Sequence, residues 1–148
     1  QLRQDAQIAR ADVFSAFAST TIEMNQAHYA YADLIAKANR DETLTDSEEY
    51  VLEEIVNNLF LNVRFLNIRA QRLGEIGSST NELIFSAHLF QNPGLRAAWM
   101  RHDAKWRAHV DPMRTASSLA QTYESGSGAM RERIHSNLIK LDEMYRQQ

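Results

Sequence analysis

A chain of 148 residues that is 44% hydrophobic and 24% charged, with 5 Gly and 2 Pro, has the size of one folded domain and too few turn residues for a β-rich protein. A formal charge of -3 argues against nucleic acid as a partner, because domains that bind it concentrate basic charge on one face. With 0 Cys there is no disulfide framework, thiolate metal site or cysteine nucleophile, and no stretch reaches the roughly 18 apolar residues of a membrane span.

Residues 2–38 contain neither Pro nor Gly. Val13, Phe17, Thr20, Met24, Ala27, Tyr31 and Leu34 recur at alternating spacings of four and three, the pattern of a helical seam. A single helix of this length runs about 55 Å, more than a compact domain of this size needs. Its first turns are expected to project or to pair with a second copy, with Val13, Phe17 and Met24 in the self-association seam. The pattern breaks over 39–44. Thr45-Asp46-Ser47-Glu48 then reads as a capping box, in which hydroxyl and carboxylate each satisfy the other residue's amide.

The next helix carries Leu52, Ile55, Val56, Leu59, Val63, Leu66 and Leu73 on one stripe, with Gly74 as its C-cap and acidic residues crowding its start. Ser78 or Ser79 is expected to cap a third helix, with Glu82 in capping-box register to Ser79 and Leu83, Ile84, Ala87 and Phe90 facing inward. Asn92-Pro93 opens a fourth, because Pro suits the first helical position after an Asn cap, and Asp111-Pro112 opens a fifth by the same device. Residues 125–128, Ser-Gly-Ser-Gly, read as a flexible joint before a last helix bearing Met130, Ile134, Leu138, Leu141 and Tyr145. The fold expected is all-α: a single domain over 1–148, a bundle of five to six helices built on a long antiparallel hairpin.

Chemical motifs are sparse. Di-iron bundles need two Glu-x-x-His pairs, and only Glu132 with His135 has that spacing. His28, His88, His102 and His109 form no His-Glu-x-x-His motif. His102 and His109 stand two helical turns apart, about 10 Å, which is too far for easy chelation. Nucleophile elbows, phosphate-binding loops and dinucleotide fingerprints are absent from the sequence. No catalytic residue, metal or cofactor is therefore assigned. A metalloenzyme or hydrolase using His28, His88 or His102 with carboxylates gathered by the fold is the least favoured reading.

The most unusual surface is the helix after Pro93. Arg96, Arg101, Lys105, Arg107 and Arg114 outnumber its acidic residues, and Leu95, Trp99, His102, Trp106 and His109 share one seam. Either this helix offers a cationic, aromatic face to an anionic ligand, lipid headgroups or an acidic partner, or both Trp side chains are core and the basic groups are solvated or pair with the acidic start of the second helix. The first alternative places a ligand pocket near Arg96, Trp99 and His102.

Several segments occur in a recognisable order: QLRQ, AYADLIAKAN, LTDSEE, NVRFLNIRAQRLGEI and HLFQNPGLRAAW. Over residues 1–107 this order resembles a widespread group of bacterial proteins of unassigned activity, in which one N-terminal transmembrane helix precedes a helical domain. The recurrent pattern falls on Leu44, Thr45, Glu48, Gly74, Pro93, Gly94, Arg96 and Trp99. The resemblance implies an inner-membrane anchor upstream of Gln1 and supplies no catalytic residue. Arg3 and Arg10, close to such an anchor, favour the cytoplasmic side. The function expected is that of a non-enzymatic, membrane-anchored domain acting by protein interaction, as a homo-oligomer or with a protein partner; a small-ligand or anion sensor is the alternative.

Overall fold

The computed structural model describes the backbone of residues 1–72, 78–114 and 118–148, and within these the side chains outside 9–17, 19–20, 23, 70–72, 78–80, 111, 113–114 and 118–125. Among the described residues there are helices and turns and no strand. The helices are α1 (Leu2–Ala30), α2 (Ala32–Asn39), α3 (Asp46–Arg72), α4 (Ser78–Gln91), α5 (Pro93–Arg114) and α6 (Ser118–Arg146). They form the all-helical bundle expected from the periodicities. The principal packing is α4 on α6 and α3 on α5, with α1 and α4 also against α3 and α2 against α5.

The first arm is not one continuous helix. Tyr31, at φ -121° and ψ 26°, divides α1 from α2, although its amide still reaches Ala27 O at 3.1 Å. The turn re-aims the chain: Ile35 becomes the buried residue of α2, while Leu34 is partly covered and Tyr31 partly exposed. Downstream, Asp41 N–H bonds to Ala38 O and Glu42 N–H to Lys37 O, with Asp41 at φ 57°. This is a Schellman C-cap whose left-handed position is filled by Asp instead of Gly.

The Thr45 capping box forms as the sequence predicts. Thr45 N–H donates to Glu48 Oε1 at 3.0 Å and Glu48 N–H to Thr45 Oγ1 at 3.1 Å. Lys37 Nζ also bonds both Glu48 carboxylate oxygens at 3.0 Å, tying α2 to the start of α3. These contacts, the Thr45 amide foremost, hold the Glu48 carboxyl below its usual range.

Along α3, Leu52, Ile55, Val56, Leu59, Val63 and Leu66 are buried as expected, joined by Phe60. One hydrophobic cluster draws residues from every helix: Met24, Ile35, the α3 stripe from Leu52 to Val63, Phe85 and Leu89, Leu95 with Ala98 and Trp99, and Met130 with Ile134 and Leu138. Burying such side chains gives roughly 1.5–3 kcal/mol each relative to exposure, which is what fixes the helix faces.

Four sequence expectations give way. The inner face of α4 is centred on Phe85, Ser86 and Leu89; Ile84 and Phe90 pack against the core from its edge as expected, and Leu83 is half exposed. Glu82 does not cap α4: the helix already begins at Ser78, and the Glu82 carboxylate is turned inward to Asn67 and Arg133. Pro112 opens no helix but lies inside α5 (Pro93–Arg114), where its missing N–H removes one bond from the helical ladder. Residues 125–128 are not a joint, because α6 runs through them from Ser118 to Arg146. Glycine in a helix interior costs about 1 kcal/mol relative to Ala, and the buried Ser127 and Met130 anchor this segment. Leu73 and Gly74 lie outside the described residues.

Candidate functional site

Arg96, Trp99 and His102 stand on successive turns of α5, as the sequence predicts, and their side chains take different partners. Trp99 is 2% exposed. Its ring lies 5.1 Å from that of Phe60 and 5.4 Å, edge on, from that of Phe85. Offset and edge-to-face pairs at these distances are favourable aromatic packing, so Trp99 belongs to the core. Arg96 points elsewhere and makes a bidentate pair with Asp142 of α6, Nη1 to Oδ1 at 2.8 Å and Nη2 to Oδ2 at 2.7 Å. The pairing holds the Asp142 carboxyl below its ordinary range and raises the Arg96 guanidinium.

His102 meets a group that sequence inspection missed. Arg131, on α6, is 2% exposed. Its guanidinium carbon lies 4.5 Å from the centroid of Phe60, 5.0 Å from Trp99 and 4.2 Å from Trp106. Its Nη1 donates to Asp103 Oδ1 at 3.0 Å, and its Nη2 approaches His102 Nε2 at 3.4 Å. An arginine is only a donor, so this contact requires the His102 tautomer with Nε2 unprotonated. Burial first and the Arg131 charge second push His102 below its usual value, against smaller opposing pulls from Glu53, Glu54 and Asp103. The aromatic box of α3 and α5 therefore already holds a cation, supplied by the chain itself.

The basic face of α5 is matched internally. Glu53, buried on α3, accepts Arg101 Nε at 3.2 Å and Lys105 Nζ at 2.7 Å. Arg107 bridges Asp103 at 2.8 Å and Glu132 at 2.7 Å. Of the two alternatives for this helix, the geometry is that of core Trp99 and ion pairs to the acidic first turns of α3. The Arg114 side chain lies outside the described residues.

Among the self-association candidates, Met24 is 5% exposed and committed to the chain's own core. The Val13 and Phe17 side chains lie outside the described residues. No group of three or more His, Asp or Glu able to hold a metal occurs among the described residues. His28 and His88 meet edge to face with ring centroids 6.1 Å apart. Burial, then His28, lowers His88. Glu132 is occupied by Arg107, and His135 is exposed.

Two concave regions are lined by described residues. Between α1 and α3 a groove of about 300 Å³ is lined by Ala27, Tyr31, Tyr50, Val51, Ile55 and Leu59 among others. Between α3 and α6 a cavity of about 270 Å³ is lined by Arg64, Asn67, Ile68, Gly126, Met130 and Arg133, together with Ala129. Beside it lies a buried polar pair. Glu82, 3% exposed, accepts Asn67 Nδ2 at 2.8 Å and two Arg133 donors at 2.7 and 2.8 Å.

Comparison with known protein families, with curated proteins and with solved structures gives no match for this chain. The likeness to membrane-anchored bacterial proteins rests on the quoted segments alone. Among the described residues, no helix is long and apolar enough to cross a membrane.

Proposed function

We propose that this chain is the helical, non-enzymatic part of a membrane-anchored bacterial protein, held on the cytoplasmic side, and that it acts by binding protein, first of all a second copy of itself. The observation that supports this reading is the apolar surface left uncovered on α1 and α3. Ile22, Tyr29, Tyr50 and Phe65 are between 54% and 83% exposed. Tyr31 and Tyr50 also rim the groove floored by Ile55 and Leu59. Tyr31 and Tyr50 share that groove, and apolar side chains gathered on one surface mark association sites more often than single exposed residues do.

Light scattering across a concentration series tests it. A dimer or larger species, lost in a Tyr50→Glu, Phe65→Glu double variant that keeps its helicity, is the expected result; a strict monomer at high concentration sinks the self-association reading. The ligand-sensor reading centred on Arg96, Trp99 and His102 is less favoured, because Trp99 is core and Arg96 is paired with Asp142.

A further inference from the structure

The geometry points to the groove between α1 and α3 as a binding site for a small organic ammonium ion, a single positive charge on an alkylated nitrogen. The groove of about 300 Å³ has the volume of the smaller small-molecule sites. Its floor is the buried pair Ile55 and Leu59, with Val51 beside them. Around that floor stand the rings of Tyr31 and Tyr50 and the carboxylate of Glu54. Each part suits one part of the ligand. Tyrosine faces attract a cation within about 6 Å, the contact that recognises quaternary ammonium groups, which have no N–H to donate. The apolar floor takes the methyl or methylene groups out of water, a gain that a hydrated inorganic cation cannot make.

Glu54 sets the sign of the ligand. Two of its acidic neighbours on α3 are already matched, Glu48 by Lys37 and Glu53 by Arg101 and Lys105. Glu54 itself is half-buried and has no ion pair among the described residues. A carboxylate in this position is screened less than a fully exposed one, so an entering cation gains more from it. The core shows what such a set of groups holds: Arg131 lies against Phe60, Trp99 and Trp106 with Asp103 as its counter-ion. The groove repeats the combination of rings and carboxylate at the surface, and among the described residues no basic side chain lines it. The assignment goes beyond self-association and does not depend on it, because Glu54 is diagnostic of the cation and Phe65 of the association surface.

Amide NMR titration at constant ionic strength with choline, 3,3-dimethyl-1-butanol and 3,3-dimethylbutyrate tests the proposal. The three probes share a branched body and carry a positive charge, no charge and a negative charge. Choline is expected to bind with a Kd on the order of 1 mM and to move the amides around Tyr50 and Ile55, the alcohol to bind at least about tenfold more weakly, and the anion not at all. Glu54→Gln and Tyr50→Leu should each weaken choline about fivefold or more with circular dichroism unchanged. Phe65→Glu should leave choline affinity as it is, whatever it does to association, so the two readings fail separately. Absence of any wild-type response at about 20 mM, equal affinity for the alcohol, full affinity in Glu54→Gln, or a loss in Phe65→Glu as large as in Glu54→Gln overturns the assignment.

Discussion

Asn39 Oδ1 accepts the Gly94 amide at 2.8 Å, so α5 is capped by the last residue of α2 and not by its own neighbour Asn92. The Asn92 side chain is engaged elsewhere, donating to His88 O at 2.9 Å and accepting Asn39 Nδ2 at 3.2 Å. One amide pair thereby joins the ends of three helices. Asn39→Ala is expected to lower unfolding free energy by about 1–2 kcal/mol, with Asn39→Asp recovering part of the loss through its retained acceptor. Urea denaturation read by circular dichroism measures both.

The same corner leaves no room for a side chain at residue 94. A Cβ on Gly94 would lie 2.7 Å from the Ala38 carbonyl carbon and 2.8 Å from the Asn39 nitrogen, and would also collide with the Ala38 methyl. Backbone atoms cannot swing aside as a flexible side chain can. Gly94→Ala should cost about 2 kcal/mol, and Ala38→Gly in the same chain should return only the part due to the methyl. Thermal melts of the single and double variants separate the two contributions.

Asp41 occupies a left-handed position, φ 57°, that a residue with a Cβ adopts at a cost. Asp41→Gly is expected to stabilise the protein by up to about 1 kcal/mol through the C-cap of α2. A fall in urea midpoint would show that the Asp side chain contributes more than its backbone strain removes.

Arg131 is held by ring faces and by Asp103 together. Arg131→Lys keeps the charge but not the flat guanidinium, and Arg131→Ala leaves Asp103 with Arg107 alone. The Ala variant should lose about 3 kcal/mol, the Lys variant a large fraction of that, and Arg131→Met less than either. Trp fluorescence during urea unfolding follows all three.

His102 gives the fold a pH dependence with a definite sign. Its folded-state pKa lies below the ordinary histidine value, so over the interval between the two the unfolded chain binds more protons and stability rises with pH. Acidification from about pH 7 towards 5 should therefore lower the urea midpoint, as His102 gains charge facing Arg131 and its Nε2 ceases to accept. Glu53, Glu54 and Asp103 oppose the effect without cancelling it. The slope should shrink in His102→Gln; an unchanged slope would assign the effect to His88, which burial lowers as well.

Local signals were the readable ones. The Thr45–Glu48 box and the α3 stripe depend on residues three or four apart, and each lies where its spacing puts it. The inward face of α4 is legible only at Ile84 and Phe90, because its centre is chosen by distant partners: Ser86 bonds Glu82 O and accepts Asn137 Nδ2, and Glu82 answers Arg133. Hydropathy could not reveal Arg131 as a core residue, since nothing adjacent to it in sequence neutralises or stacks on it. For the same reason Trp99 was legible as one of a helical series, while its commitment to Phe60 and Phe85 was not.

The box of Phe60, Trp99 and Trp106 is built by α3 and α5, but its cation arrives on α6. A chain emerging during synthesis holds three aromatic faces without their cation, and Asp103 with Arg107 alone, until residue 131 has left the ribosome. Closure of the box thus waits for α6, and a product truncated before it would be a sticky intermediate, suited to recognition by quality control.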